Sequence, residues 1–468
     1  MIDTPRLEAT LRRLPGFERL LSCDRLSAGA SRETYRLQVV IDAAERKLAL
    51  RRAEGEGGSA MGSGPGLNVE AKLFAAARKA DVPGPEVLLV LQPEDQLGAG
   101  FVMEWVAGET LGGKIARGPD FAEVRKRLAR ECGKILARLH SIDVKSAGLD
   151  QELDAFTPEE IVRRTHAGYL TLNSPQPMID FTAQWLLANL PKQHAMKLVH
   201  SDFRNGNLIV DPKEGVVAVL DWELAHVGDP MRDLGWLVTR SWRFGVADKP
   251  VGGFGELDDL IAGYEAASGE TVDREAVRFW EVFGSFWWAC GCLSMGQSFR
   301  TGMETSLERP AIGRRSSECQ IDCMNLLIPG PVAAASPAKE SLSATDLPRS
   351  DELLVGVRDF LRGEAAQALS GRNQFLARVA ANSLDMIMRE IALGAEARAF
   401  EVAALHGLVG EGRDLQTQRE NLCRAIRFGE IDLQRADLHA YLRQSVFAQV
   451  IIDQPGYAGA VEAGKRLT

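Results

Sequence analysis

The stretch VHSDFRNGNLIVDPKEGVVAVLDWELAHVGDP (residues 199–230) carries the strongest structural signal in this chain. Two short apolar runs, LIV (208–210) and VVAVL (216–220), predict adjacent strands joined by a polar turn. Asp202 and Asn207 precede the first run, and Asp221 directly follows the second. A pair of neighbouring strands would therefore bring three oxygen-bearing side chains to one edge.

This set of side chains fits the chemistry of phosphoryl transfer. That reaction needs a carboxylate that orients the attacking hydroxyl and oxygen ligands that hold Mg²⁺ on the nucleotide phosphates. Protein kinases supply them with the motif H-R-D-x-x-x-x-N followed by D-F-G. Here His200-Ser201-Asp202 precedes Asn207 at the same spacing, and Asp221-Trp222-Glu223 follows.

The motif resembles that of the aminoglycoside phosphotransferase and choline kinase family, over roughly residues 20–325. The spelling HSDFRNGN, followed by LDWELAHVGDPMRDLGWL, is most similar to the branch of acyl-CoA-dehydrogenase-associated kinase domains. The resemblance implies that Asp202 is the catalytic base and that Asn207 and Asp221 are metal ligands. It also implies ATP and Mg²⁺ as the cofactors and the hydroxyl of a small molecule as the acceptor.

The surrounding sequence predicts an α+β, protein-kinase-like fold with two lobes. We expect a small, mainly antiparallel β N-lobe at residues 1–106 and a helical C-lobe at 107–328. A segment rich in Pro, Ala and Ser at 329–350 is typical of a linker, and residues 351–468 have helical periodicity throughout. They predict an all-α C-terminal domain of unknown role. Within the N-lobe, residues 7–22 read as an amphipathic helix.

Several N-lobe residues are candidates for binding the nucleotide. The segment SAGASRET (27–34) lies between two strand-like runs, so its backbone N–H groups could face phosphate oxygens. Gly29 would permit close approach and Ser31 would add a hydroxyl. An ordinary hairpin is the alternative, because a single Gly is not a G-x-G-x-x-G loop.

A cation is expected on the strand that follows this loop. Kinases usually place Lys there and pair it with a helix Glu. The resemblance maps Arg51 onto that position, with Glu70 as its partner, so this chain has Arg where such kinases usually have Lys. The segment GFVMEWVAGETL (100–111) fits the hinge between lobes, where backbone groups from Glu104 to Val106 would meet the adenine.

The acceptor-binding residues are less defined. The helical segment 277–293 is rich in aromatic residues, which could form a cage for an amine but are better explained by core packing. Arg300, Arg309, Arg314 and Arg315 could recognise an anionic substrate, or serve structural roles. The resemblance favours a hydroxy acid or a hydroxyacyl-CoA-type compound.

Composition limits the classes of partner. The net charge of −9 argues against general binding of nucleic acid or anionic membranes. Neither a signal peptide nor an apolar run of transmembrane length is evident, so we expect a cytoplasmic protein. Seven cysteines, an odd number, suggest reduced thiols. A homodimer formed through the C-terminal helical domain is our hypothesis for a protein partner.

Three alternatives to a hydroxyacyl-type kinase remain open. A pseudokinase or scaffold would bind nucleotide with little turnover, and Arg51 and the sparse Gly loop favour it. A kinase for aminoglycosides or amino alcohols would share the motif. A protein kinase is disfavoured because no A-P-E segment with an activation loop follows Asp221.

Overall fold

The computed structural model describes residues 2–28, 32–53, 64–192, 195–336 and 347–467. The structure confirms the predicted fold class. A five-stranded antiparallel sheet with the helices Thr4–Leu11 and Leu67–Lys79 against it forms the N-lobe, and the described residues that follow are mainly helical.

The secondary structure is named in chain order. The strands are β1 (Phe17–Ala28), β2 (Glu33–Ile41), β3 (Ala44–Ala53), β4 (Val87–Val90), β5 (Ala99–Glu104), β6 (Lys197–Val199), β7 (Leu208–Asp211), β8 (Gly215–Val219) and β9 (His226–Gly228). The helices are α1 (Thr4–Leu11), α2 (Leu67–Lys79), α3 (Gly112–Arg117), α4 (Ala122–His140), α5 (Pro158–Leu170), α6 (Pro177–Ala188), α7 (Met231–Val238), α8 (Leu257–Ser268), α9 (Arg274–Arg300), α10 (Glu308–Arg314), α11 (Ser316–Leu327), α12 (Ser350–Phe360), α13 (Ala366–Ala368), α14 (Gly371–Val409), α15 (Leu415–Arg427), α16 (Ala436–Asp453) and α17 (Ala458–Gly464).

The chain divides into two compact units. Unit 1 comprises Met1–Pro158 and Pro191–Glu281, and unit 2 comprises Glu159–Leu190 and Val282–Thr468. Unit 1 therefore contains the N-lobe sheet and every strand of the motif-bearing region. Unit 2 groups α6 and α11 with the C-terminal helices. The boundaries between compact units therefore differ from the domain boundary that sequence composition indicated at residues 329–350.

The N-lobe sheet has the strand order β1-β2-β3-β5-β4. The predicted helix over residues 7–22 is correct only for α1, which ends at Leu11, and wrong for its second half. Residues from Phe17 onward belong to β1, where Phe17 lies opposite Ile41. A full antiparallel partner strand supplies hydrogen bonds that override the helical periodicity of this segment.

Two small hairpin-like sheets form the motif region. Leu208 on β7 lies opposite Val219 on β8, and the N–H of Leu220 donates to the carbonyl of Asn207 at 2.8 Å. Val199 on β6 lies opposite His226 on β9. These pairings bring the loop after β6 and the loop after β8 to the same end of the two sheets.

Trp222 anchors this region to the hydrophobic core of unit 1. Its side chain is fully buried, and its ring lies 6.2 Å from that of Phe74 on α2. Phe74 in turn packs against Phe101 on β5, with ring centroids 5.8 Å apart. Burial of an aromatic side chain is worth about 1.5–3 kcal/mol, so Trp222 firmly fixes the two acidic residues on either side of it.

Unit 2 is helical wherever the structure describes it, apart from short connections. The start of the predicted linker lies along α16, because Ala333 exchanges hydrogen bonds with the Gln444 side chain. No helix among the described residues is both long and apolar enough to cross a membrane.

Candidate active site

The loop that carries Asp202 is held by a buried carboxylate. Asp233 on α7 is fully buried, and it accepts hydrogen bonds from the N–H of His200 at 2.8 Å and of Ser201 at 2.7 Å. His140 on α4 also contacts it at 3.1 Å. Burial alone would raise the pKa of Asp233, but the His140 contact and the backbone donor outweigh burial and lower the pKa.

His200 orients the loop from within. Its Nδ1 accepts from the N–H of Asp202 at 3.2 Å, so Nε2 carries the proton and donates to the carbonyl of Leu220 at 3.1 Å. Burial lowers the pKa of His200 and keeps the ring neutral. The sequence analysis assigned His200 no proton transfer, and these contacts describe a positioning residue that joins the Asp202 loop to the end of β8.

The Asp202 carboxylate lies in a dense set of donors. Asn207 Nδ2 donates to Asp202 Oδ2 at 2.5 Å, and Trp236 Nε1 donates to Oδ1 at 2.9 Å. Arg204 forms two further contacts, from Nε to Oδ1 at 2.8 Å and from Nη2 to Oδ2 at 3.3 Å. The guanidinium of Arg204 also stacks on the ring of Trp242, 4.3 Å from its centroid.

Sequence reasoning assigned no role to Arg204 or Trp236. A signal for Arg204 was present, because it stands inside the motif two residues after Asp202. Trp236 was harder to find, because it is distant in sequence from Asp202. It reaches that carboxylate because it lies about one helical turn after Asp233 on α7. Helix α7 therefore both anchors the loop and contacts its carboxylate.

The segment Asp221-Trp222-Glu223 alternates between cleft and core. Trp222 is buried, while the side chains of Asp221 and Glu223 are about one-third exposed. Asp221 has a φ of 65°, and Ser201 has a φ of 68°. Such left-handed backbone in non-glycine residues is uncommon and concentrates at functional sites. Burial, and then repulsion from Asp221, raise the pKa of Glu223 to about 7.

Arg51 on β3 links the N-lobe to this segment. Its Nε lies 3.2 Å from Glu70 Oε1 on α2, and its Nη2 forms an ion pair with Asp221. Burial would lower the pKa of Arg51, but Glu70, Asp221 and Glu223 together raise it. The pairing of Arg51 with Glu70 is the one that the sequence analysis expected.

Arg32 is a second cation at this site, and sequence reasoning missed it. Its Nη1 lies 2.8 Å from Glu70 Oε2, and its Nε lies 3.4 Å from Glu223 Oε2. Nη2 donates to the carbonyl of Pro65, so the buried guanidinium also fixes the start of α2. The available signal was its place directly after the Gly-containing segment at the start of β2.

Four further residues were predicted to bind the nucleotide. Gly29 and Ser31 lie outside the described residues. The N–H of Glu104 at the end of β5 already donates to the carbonyl of Glu86, and its carboxylate faces solvent. Val106 lies half-buried just after β5. Adenine contacts by the backbone from Glu104 to Val106 stay a prediction.

The chemistry of the donor set fits a nucleotide-bound Mg²⁺. Asn207 Nδ2 donates to the carbonyl and carboxylate of Asp202, which directs its amide oxygen away from these acceptors. That oxygen and the carboxylate of Asp221 are hard ligands of the kind Mg²⁺ prefers, with phosphate oxygens supplying further ligands. Within the described ranges, no group of three or more His, Cys, Asp or Glu could hold a metal by itself.

Residues that the sequence suggested for binding the acceptor lie outside this cleft and have structural contacts. Phe279, Trp280, Phe283 and Phe286 on α9 are buried, as expected for core packing. Arg309, Arg314 and Arg315 pair with carboxylates of unit 2. All seven cysteines are free, and all except Cys23 are buried.

Comparison with solved structures supports the fold assignment. A protein of Ralstonia eutropha that carries the provisional name aminoglycoside phosphotransferase superposes with a TM-score of 0.57 at 23% sequence identity. The match covers 70% of this chain and 98% of the other. The superposition thus shows a kinase-like fold.

The sequence itself identifies the family. The profile of the phosphotransferase enzyme family matches residues 22–280, which is more than half of the chain, so the protein belongs to that family. A domain of unknown function, DUF6285, matches residues 367–457.

Curated relatives share the kinase-like part. Acyl-CoA dehydrogenase family member 10 of Mus musculus is 31% identical over 212 residues, which are 44% of this chain and 19% of the relative. Family member 11 of Homo sapiens is 30% identical over 242 residues, which are 50% of this chain and 30% of the relative. The match thus spans less than a third of either relative.

Replacement of the loop anchor should destabilise the protein. In Asp233→Asn, one carboxylate oxygen becomes an amide that cannot accept from the loop N–H groups, so we expect a loss of about 2 kcal/mol or more in unfolding free energy at pH 7. Thermal unfolding followed by circular dichroism measures it, with exposed Asp150→Asn as control.

The pH dependence of that loss has a defined sign. The folded pKa of Asp233 is lowered, so its stabilising effect is present above the ordinary aspartate pKa and is lost as the pH falls through the folded pKa. The difference between wild type and Asp233→Asn should shrink on acidification below about pH 4. A constant or growing difference would contradict this role.

Proposed function

We propose that this protein transfers the γ-phosphoryl group of ATP to a hydroxyl of a small molecule. The observation that carries the proposal is the arrangement in unit 1 of Asp202, Asn207 and Asp221. Asp202 and Asn207 are hydrogen-bonded to each other, and Asn207 is joined by its carbonyl to the residue before Asp221. Membership of the phosphotransferase enzyme family supports it.

In this mechanism Asp202 orients the acceptor hydroxyl and takes its proton. The acceptor oxygen forms a bond to the γ-phosphorus, the bond from that phosphorus to the β–γ bridging oxygen breaks, and ADP leaves. Trp236 and Asn207 hold the carboxylate in position, so little reorganisation is needed when the hydroxyl arrives.

Asn207 and Asp221 would hold Mg²⁺, which when bound neutralises charge on the nucleotide phosphates. Arg51, oriented by Glu70, would contact phosphate oxygens with its forked guanidinium. The loop containing Gly29 and Ser31 would cover the phosphates, and backbone groups from Glu104 to Val106 would meet the adenine. Arg51 would exchange its ion pair with Asp221 for the phosphates when nucleotide enters.

We assign Arg204 to the transferred phosphoryl group. Its guanidinium lies on the Asp202 carboxylate, which marks it as the cation nearest to where the acceptor must bind. Stacking on Trp242 gives it a second support, so it can leave the carboxylate without losing its orientation. An arginine near the transferred group stabilises the charge of the transition state.

A hydroxy acid or hydroxyacyl-CoA-type compound is our preferred acceptor. The named relatives are acyl-CoA dehydrogenase family members, which supports a link to acyl chemistry. The amine alternative receives no support from α9, because Phe279 and Trp280 lie in the core and form no open cage. A screen with labelled ATP against hydroxyacyl-CoA esters, hydroxy acids, amino alcohols and aminoglycosides tests the choice directly.

A nucleotide-binding pseudokinase is the second candidate. The ion pair between Arg51 and Asp221 favours it, since a cation already neutralises the proposed metal ligand. Tight binding of ATP without Mg²⁺-dependent turnover would support this candidate over the enzyme.

Substitution of the proposed base tests the reaction. We expect Asp202→Asn to reduce Mg²⁺-dependent ADP formation by about 10²–10⁴-fold, while affinity for Mg·ADP changes little. Asp221→Ala should instead weaken Mg²⁺-dependent nucleotide binding, measured by calorimetry. Exposed Asp150→Asn serves as control. Full turnover by Asp202→Asn would remove the base role.

Arg204 should affect turnover more than binding. We expect Arg204→Gln to lower kcat by about 100-fold with a small change in the KM for ATP, and Arg204→Lys to recover part of the loss. Steady-state kinetics with the acceptor from the screen measures both. Faster turnover in Arg204→Gln would instead show that the arginine inhibits Asp202.

We further propose that the C-terminal helices form a homodimer. Leu353, Val357 and Phe360 are exposed and lie four and three residues apart, so they share one face of α12. A second copy of the same face could cover this apolar stripe.

Light scattering coupled to size exclusion tests the dimer. We expect twice the chain mass for the wild type and a monomer for the double variant Leu353→Ser, Phe360→Ser. Val461→Ser, an exposed apolar residue on α17, is the matched control. A monomeric wild type at all concentrations would exclude this dimer.

A further inference from the structure

A second cavity lies entirely within unit 2, outside the proposed catalytic cleft. Its volume is about 350 Å³, and its walls come from the start of α6, from α9 to α11 and from α14 to α16. That volume is in the range of pockets that bind small molecules. Nothing in the proposed phosphoryl transfer uses it.

Two buried carboxylates form the floor of this cavity. Glu401 accepts from Arg419 Nε at 2.7 Å and Nη2 at 2.5 Å, and from the Tyr441 hydroxyl at 2.9 Å. Asp453 accepts from Arg314 Nε at 2.6 Å and from Gln449 Nε2 at 3.0 Å. Their acceptor oxygens are thus already engaged by protein donors.

In these ion pairs the arginine side chains are partly exposed to solvent, whereas the carboxylates are buried. The side chains of Asp453 and Glu401 are only 3% and 8% exposed, whereas those of Arg314 and Arg419 are 36% and 30% exposed. Each guanidinium has five N–H groups. Arg314 donates one to Asp453 and one to Glu390, and Arg419 donates two to Glu401.

Arg398 adds a third cation with more freedom. Its side chain is 56% exposed, and its nearest carboxylate contact among the described residues is Glu390 at 4.0 Å, beyond hydrogen-bonding distance. Glu390 also accepts a hydrogen bond from Arg314 Nη2 at 2.9 Å, so this half-exposed carboxylate lies near two arginines. Glu390, Glu401 and Asp453 balance the charge of the three arginines, and Arg398 is the one of the three with no carboxylate within hydrogen-bonding distance among the described residues.

Apolar side chains complete the wall. Met178 and Pro177 at the start of α6, Leu293 on α9, Leu415 on α15 and Val446 on α16 line the same space. We propose that this cavity binds a small organic anion, in which a carboxylate or phosphate group meets Arg398 and a short carbon chain contacts the apolar wall. The inference does not depend on the proposed kinase activity.

Calorimetric titration of the full chain tests the site. The probes are hexanoate, hexyl phosphate, inorganic phosphate and hexanol, in a buffer of low ionic strength. We expect saturable binding of hexanoate or hexyl phosphate and none of hexanol. Which of the two anions binds tells whether the site takes carboxylates or phosphate esters. Binding of either anion supports an oxyanion site.

Variants locate the binding. Arg398→Gln should weaken the anion about ten-fold through loss of a charge-assisted hydrogen bond, and Arg398→Lys should weaken it less. Arg413→Gln, whose side chain is 87% exposed and pairs with Asp414 outside the cavity, should bind like the wild type.

Three results would overturn the proposal. They are unchanged affinity in Arg398→Gln, equal affinity for inorganic phosphate and hexyl phosphate, and no saturable binding of either organic anion below about 10 mM. Arg398 is exposed on the surface of α14, so its substitution should leave the fold intact, which unchanged thermal unfolding would verify.

Discussion

A single buried carboxylate, Asp233, determines where the loop that carries Asp202 lies. It is expensive to bury a charge, and the cost is offset only because two loop N–H groups and His140 all donate to it. Helix α7 brings this acceptor to the loop, and through Trp236 it also reaches the Asp202 carboxylate. Removal of the anchor would leave buried donors without partners, so the position of Asp202 depends on a residue that takes no part in the chemistry.

The cleft of unit 1 contains alternating charges from both lobes. Arg32 and Arg51 from the N-lobe sheet share Glu70, and both approach Glu223 beside Asp221. Such a network is strong in a partly desolvated site because the local dielectric constant is low. It holds the N-lobe against the segment Asp221-Trp222-Glu223 and concentrates positive charge beside it.

Sequence reasoning predicted most of the fold. Spacing in the segment 199–230 also predicted that Asp202, Asn207 and Asp221 would lie at one edge, because two adjacent strands leave few arrangements for them. Their catalytic and metal-binding roles stay predictions. Sequence reasoning failed for residues 17–22, where pairing with β2 outweighs local periodicity. It also missed Arg32 and Trp236, since their partners are distant in sequence and only packing brings them together.

The sequence by itself determined the kinase-like architecture, the family and the residues of the central motif, because strand length, loop spacing and helical periodicity are local properties of a chain. Only the tertiary structure decided which charges meet. It joined Arg51 to Asp221, buried Asp233 under the loop, and grouped Arg314, Arg398 and Arg419 around one cavity of unit 2. The physical reason is that burial and ion pairing depend on distances through space, which neighbours in sequence do not specify.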